Sequence, residues 1–278
     1  MHTGRLATIW SAAALSALLL WPGTPALSAE PFITLASTTS TQNSGLFPYL
    51  LPKFKAASGI DVHVVAVGTG QAILIGERGD ADCLLVHDKP SELKFLAAGY
   101  ASERRDVMYN DFVVIGPKSD PAHVGGMKDV AEAFKKIADA KATFVSRGDD
   151  SGTNKAELRL WQAAGVNAKA ASGTWYKEAG TGMGATLNTT SGLGGYTLSD
   201  RATWSNFKNR GELAILVEGD PRLFNQYGVL PVSPQRFPHV KYKEAMAFAN
   251  WLTSPEGQKI IAGYTINGEE QFFPNYKP

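Results

Sequence analysis

The sequence predicts an α/β protein of two lobes, each a mostly parallel sheet flanked by helices, joined by two crossing strands. Three observations carry that reading. Short apolar runs of strand length alternate with runs of helical spacing along the chain. Two Ser/Thr- and Gly-rich turns, far apart in sequence, each follow a strand and precede a helix. Two apolar segments, 112–117 and 229–232, lie where a chain shared between two lobes would cross and return.

Taken in order, 33–36 reads as a short strand and 46–57 as a helix with apolar residues at helical spacing. A strand over 62–67, a short helix over 72–76 and a buried strand over 83–86 follow. Residues 112–117 form a strand stopped by Pro117; 129–140 is a helix, 142–145 a strand and 155–164 another helix. A strand over 213–218 precedes the return crossing at 229–232. The chain closes with helices over 243–252 and 255–262, Pro255 suiting a first helical position.

Ahead of these elements, Arg5 is followed by an apolar run over 9–21, then Pro22, Gly23 and Pro25, then small residues at Ala26, Ser28 and Ala29. That order is the plan of a secretory signal peptide, and the run is short for a helix crossing about 30 Å of hydrocarbon. The expected organisation is therefore a leader over 1–29, lobe I from 30–113 plus 229–278, and lobe II from 114–228. The expected location is the periplasm. Without the leader, 26 basic side chains face 26 acidic ones. A neutral chain argues against nucleic acid or an anionic membrane as partner. Cys83 is the only cysteine, which excludes an intrachain disulfide, and its apolar strand reads as core. The five histidines show no metal-ligand spacing, so neither metal nor cofactor is expected.

Chemistry concentrates in the turns. The first, 37–45, offers Thr38, Thr39, Ser40 and Thr41; the second, 146–153, offers Arg147, Ser151 and Thr153 around Gly148 and Gly152. A helix N-terminus leaves backbone N–H groups unpaired and carries partial positive charge, which suits an anion. Capping is the better explanation of any single Ser/Thr turn. Two turns facing one cleft at the carboxyl ends of strands favour a ligand. Arg147 adds a fork of donors matched to an oxyanion. A third turn, Gly68-Thr69-Gly70, also joins strand to helix, but no Gly-Lys-Ser/Thr follows and it is not a nucleotide loop.

At these residues the chain resembles the TupA-type tungstate-binding proteins of ABC importers. Thr38-Thr39-Ser40-Thr41 with Ser44-Gly45-Leu46, and Arg147-Gly148-Asp149-Asp150-Ser151-Gly152-Thr153, carry the likeness. Segments 79–88, 108–113, 182–184 and 196–201 extend it over nearly the whole mature chain, with Cys83 in place of an aliphatic residue. The resemblance implies a type II periplasmic binding fold that closes on tungstate or molybdate and serves a membrane permease. It implies contacts from Thr39, Ser40, Thr69, Arg147, Ser151 and Thr153, with Thr38, Thr41, Gly70 and Tyr196 as weaker candidates. A monomer without cofactor is expected.

Phosphate stays open as an alternative, because Arg147 to Thr153 also looks like the anion loop of phosphate-binding proteins, with Asp149 placed to accept a proton. Tungstate and molybdate are dianions without a proton and need donors only. Asp149 would then have to turn onto Arg147. An anion sensor is a further alternative. An enzyme using Ser40 or Ser151 as nucleophile is disfavoured, because neither turn holds a histidine or a Gly-x-Ser-x-Gly elbow. His87, at a strand end, is the one candidate base, and a surface role is its plainer reading.

Overall fold

The computed structural model describes Met1 and residues 30–278. The leader expected over 1–29 therefore lies, apart from Met1, outside the described residues. Among the described residues no helix is long and apolar enough to cross a membrane.

The first half of the chain forms β1 (Phe32–Thr38), α1 (Thr39–Asn43), α2 (Leu46–Ser58), β2 (Asp61–Val67), α3 (Thr69–Glu77), β3 (Cys83–Val86), α4 (Lys89–Ala97) and β4 (Arg105–Pro117). Next come α5 (Val130–Asp139), β5 (Phe144–Ser146), α6 (Gly152–Ala163), β6 (Tyr176–Glu178), α7 (Met183–Leu193), β7 (Thr197–Asp200), α8 (Arg201–Asn206) and β8 (Leu213–Val217). The chain ends with β9 (Phe224–Pro231), α9 (Tyr242–Leu252), α10 (Pro255–Ala262) and three two-residue strands, β10 (Thr265–Ile266), β11 (Glu269–Glu270) and β12 (Phe273–Pro274).

Local chemistry accounts for the well-read elements. In α2, Leu46, Leu50 and Phe54 recur every fourth residue and are buried on one face. The helix stops at Gly59, whose φ of 73° and N–H bond to the Lys55 carbonyl form a left-handed C-terminal cap. Asp129 starts α5 by accepting from the Glu132 N–H at 3.0 Å. Buried Val130, Ala133, Phe134 and Ile137 then follow at helical spacing.

The main sheet runs β12-β4-β9-β3-β1-β2, and β7 and β8 also pair with β4. Strands β2, β1 and β3 are parallel. Strand β9 is antiparallel to both β3 and β4, and β7 and β8 are antiparallel to β4. The sheets are thus mixed, which corrects the mostly parallel expectation. A strand that returns beside the outgoing crossing strand must run opposite to it. The crossing itself is as expected but longer. Arg105–Asp111 of β4 pairs with β9, and Phe112–Pro117 continues along β7 and β8.

Two sets of core side chains flank that crossing. Ile33, Leu35, Leu50, Phe54, Val229 and Phe248 pack on one side. Phe134, Phe144, Leu160, Trp161 and Tyr176 pack on the other. Cys83 is fully buried and burial pushes its thiol up, in keeping with a core role. In the second core, the Phe134 and Trp161 ring centroids lie 4.4 Å apart, and Phe144 meets Trp161 edge-on at 5.0 Å. Truncating Phe134 to Ala should cost about 3–5 kcal/mol, read from urea unfolding. A loss below about 1 kcal/mol would mean that the cluster collapses around the gap.

Candidate anion-binding site

The first turn is more ordered than a connecting loop. Thr38 ends β1 and its Oγ1 accepts from the Thr41 N–H at 3.2 Å, which caps α1. The left-handed Gly45, φ 82°, then separates α1 from α2. The Thr38 and Thr41 hydroxyls lie 2.8 Å apart, and Thr38 Oγ1 is 3.0 Å from His87 Nε2. These two hydroxyls are engaged behind the turn. Thr39 and Ser40 instead face the second turn: Arg147 Nη2 donates to Thr39 Oγ1 and Nη1 to Ser40 Oγ, each at 2.8 Å.

The second turn leaves β5 at Ser146 and enters α6 three residues ahead of the expected Lys155. Ser151 is the cap, its Oγ accepting from the Asn154 N–H at 3.1 Å. Gly148 takes a φ of 61°, and a side chain there would press on Glu178 Cβ at 2.9 Å. The third turn abuts this one. The Gly152 N–H donates to Thr69 Oγ1 at 2.8 Å, and the Gly70 N–H to the Asp150 carbonyl at 3.1 Å. A Cβ on Gly70 would lie 1.7 Å from an Asp150 carboxylate oxygen, so this glycine permits close approach.

All six leading candidates therefore meet. Ser40, Thr69, Arg147, Ser151 and Thr153 are at most 1 % exposed, and Thr39 is half-buried. Ser40 Oγ and Thr153 Oγ1 stand 3.4 Å apart across the contact. Tyr196 is not among them. Its hydroxyl donates to Asp120 Oδ1 at 2.8 Å and accepts from the Ala122 N–H at 3.0 Å, within the second core. The Tyr196 candidate is thus placed as a packing residue.

Arg147 dominates the electrostatics. Its Nη2 pairs with Asp149 Oδ2 at 2.5 Å, while Asp149 Oδ1 accepts from the Ser151 N–H at 3.2 Å. Burial draws the guanidinium down from its ordinary value and Asp149 opposes the shift. Arginine stays charged regardless. Its Nε is buried without a hydrogen-bond partner among the described residues. Leaving such a donor unpaired costs about 1–3 kcal/mol, so the arrangement invites an acceptor.

Sequence reasoning missed the residues supporting the turns. His87 is buried, which corrects the surface reading. Its Nδ1 is 3.0 Å from Asn225 Oδ1, and the Asn225 amide donates to Asn110 on the other crossing strand. With Asn225 Oδ1 as acceptor, Nδ1 carries the proton and Nε2 accepts from Thr38. Asp200 is fully buried and caps α8 through the Thr203 N–H at 2.9 Å, and Thr203 Oγ1 donates to the Ser40 carbonyl. The sequence signal for Asp200 was its position three residues before Thr203 at a helix start.

Burial raises Glu157 to about 7 and Asp200 to about 6, and it lowers His87 to about 4 with Arg147 adding to the shift. The two carboxyls contribute stability that is full below their ordinary values, 4.5 and 3.8, and is lost as pH rises through 6 and 7. His87 contributes stability present above 6.5 and lost as pH falls toward 4. Two raised carboxyls outweigh one depressed imidazole between about pH 8 and 6, so stability to urea should rise as pH is lowered over that window. A fall there would place His87 in control.

Residues 23–256 match the family description "PBP superfamily domain". The chain is 52% identical over 248 residues to a putative ABC transporter anion-binding protein of Haloferax volcanii, covering 87% of this chain and 72% of that one. It is 46% identical over 246 residues to the tungstate-binding protein TupA of Peptoclostridium acidaminophilum, covering 88% and 84% respectively. Among solved structures, the tungstate ABC transporter from Geobacter sulfurreducens superposes with a TM-score of 0.78 at 49% identity, covering 85% of this chain and 100% of that one. With its two cores, paired crossing strands and converging turns, this chain belongs to the PBP superfamily and, within it, to the TupA-type family.

Proposed function

We propose that this protein is the exported, periplasmic solute-binding component of an ABC importer, and that it captures tungstate, with molybdate as the near-equivalent ligand. Capture uses Thr39, Ser40, Thr69, Arg147, Ser151 and Thr153 in the cleft between a lobe of residues 30–113 plus 229–278 and a lobe of 114–228. The protein acts as a monomer without cofactor and delivers the anion to a membrane permease. The names of its relatives support the ligand class.

One observation carries the choice among oxyanions. Both Asp149 oxygens are engaged, one by Arg147 and one by the Ser151 N–H. The carboxylate is therefore turned onto its own donors and is not free to take a proton from a ligand. The Ser and Thr hydroxyls and Arg147 Nε, which has no partner among the described residues, remain as donors. Such a set suits a dianion that presents acceptors only, and it disfavours hydrogen phosphate, which carries a proton. Closure follows if the anion makes contacts between lobes that the open form lacks.

Calorimetric titration with tungstate, molybdate, sulfate and phosphate at one pH and salt concentration tests this reading. Tight tungstate or molybdate binding with weak phosphate binding is expected. Preferred phosphate binding would mean that Asp149 turns inward and that the ligand assignment is wrong. Replacing Arg147 by Ala should weaken tungstate binding by about 1.5–3 kcal/mol, one to two orders of magnitude in Kd. Unchanged affinity would remove Arg147 from the site.

A further inference from the structure

Among the described residues Glu157 pairs with no cation, yet it is 1 % exposed and lies one helical turn beyond Thr153 on α6. A buried carboxyl so close to the anion turn needs a task that offsets its desolvation. Its hydrogen bonds identify the task. Oε1 accepts from Trp161 Nε1 at 3.0 Å and from the Tyr176 hydroxyl at 2.8 Å. Oε2 accepts from Ser146 Oγ at 2.7 Å. Ser146 Oγ in turn accepts from Asn154 Nδ2 at 3.1 Å. Asn154 Oδ1 accepts from the Asp150 N–H at 3.2 Å, and its own N–H donates to Ser151 Oγ.

These bonds close a loop. Ser146 is the last residue of β5, and Asn154 lies in the first turn of α6, so the two stand at opposite ends of the anion turn. Side chains join those ends, and Glu157 anchors the join to the aromatic core through Trp161 and Tyr176. Arg147 follows Ser146 directly, so the strand end that Glu157 holds also sets the start of the guanidinium's reach. Three buried donors need three acceptor positions at one point, which a carboxylate supplies and an apolar side chain does not.

We propose that Glu157 is a positioning residue for the anion site, a buried clasp that holds the two ends of the 146–154 turn and thereby aims Arg147. The proposal rests on the oxyanion reading above. Tungstate affinity is measured by calorimetry for the wild type, Glu157→Leu, Glu157→Gln, Ser146→Ala, the Ser146→Ala/Glu157→Gln and Ser146→Ala/Glu157→Leu doubles, and Trp161→Phe. Thermal unfolding of each is recorded in parallel.

Glu157→Leu should raise Kd about tenfold or more. Glu157→Gln should largely restore affinity, to within about threefold, because its amide oxygen can still accept from Trp161 and Tyr176 while its N–H donates to Ser146. Ser146→Ala should weaken binding, and either Glu157 change should add little in that background, since both act through one bond. Trp161→Phe removes one of the two core donors that anchor Glu157, and should lower the unfolding temperature and weaken binding less than Ser146→Ala does. Wild-type affinity in Glu157→Leu, or additive effects of the Ser146 and Glu157 changes, would overturn the clasp. If Glu157→Leu does not fold, Ser146→Ala decides the question, and wild-type tungstate affinity in that variant would overturn the clasp. Failure of the wild type to bind tungstate would instead overturn the oxyanion reading.

Discussion

The buried guanidinium of Arg147 is the interaction on which the rest of the site depends. It belongs to the second turn, yet two of its donors end on Thr39 and Ser40 of the first. A charge taken that far from water requires paired, well-directed partners, since an unpaired buried ion costs several kcal/mol. Asp149 supplies the counter-charge, and the threonine and serine oxygens supply acceptors. The same geometry leaves Nε without a partner among the described residues. The site is thus over-supplied with donors, which is the condition for holding an anion that brings acceptors only.

Bringing the turns together is the work of the sheet. Strand β4 runs from one core to the other, and β9 returns antiparallel beside it. Asn110 and Asn225 are paired across these strands, and His87 links Asn225 to Thr38. A continuous run of side-chain bonds therefore connects the crossing strands to the first turn. The neutral imidazole suits that position, because it donates at one nitrogen and accepts at the other. Asp88, next to His87, caps α4 and also pairs with Arg159 of α6 at 2.8 Å. Arg159 is half exposed, so this pair adds at most about 1 kcal/mol to the contact between α6 and the start of α4.

On the proposed reading, selectivity among oxyanions comes down to where one carboxylate points. The Arg-Gly-Asp-Asp-Ser-Gly-Thr stretch suits a protonated or an unprotonated ligand, depending on whether Asp149 faces the anion or its own neighbours. The structure turns it onto Arg147 and the Ser151 N–H. That orientation follows from the tight turn, in which Gly148 and Asp150 both take positive φ and bring Asp149 back toward the arginine.

The sequence by itself determined the alternation of strands and helices, the crossing segments, the burial of Cys83 and the three donor-rich turns. All of these are local in origin. Apolar periodicity, proline and glycine punctuation and capping residues act over a few positions, so they can be read without knowing the fold. The elements α1, α4, α7 and α8 escaped that reading: Thr38, Asp88 and Asp200 cap α1, α4 and α8, while the buried face of α7 mixes Met183 and Leu187 with Thr186 and Thr190. The antiparallel return of β9, the placing of Tyr196 against Asp120, the burial of His87 and Asp200, and the clasp of Glu157 on Ser146 were decided only by the tertiary structure. Each depends on a partner distant in sequence or on a desolvated environment, and neither a partner's distance nor its dielectric is written in the local residue pattern.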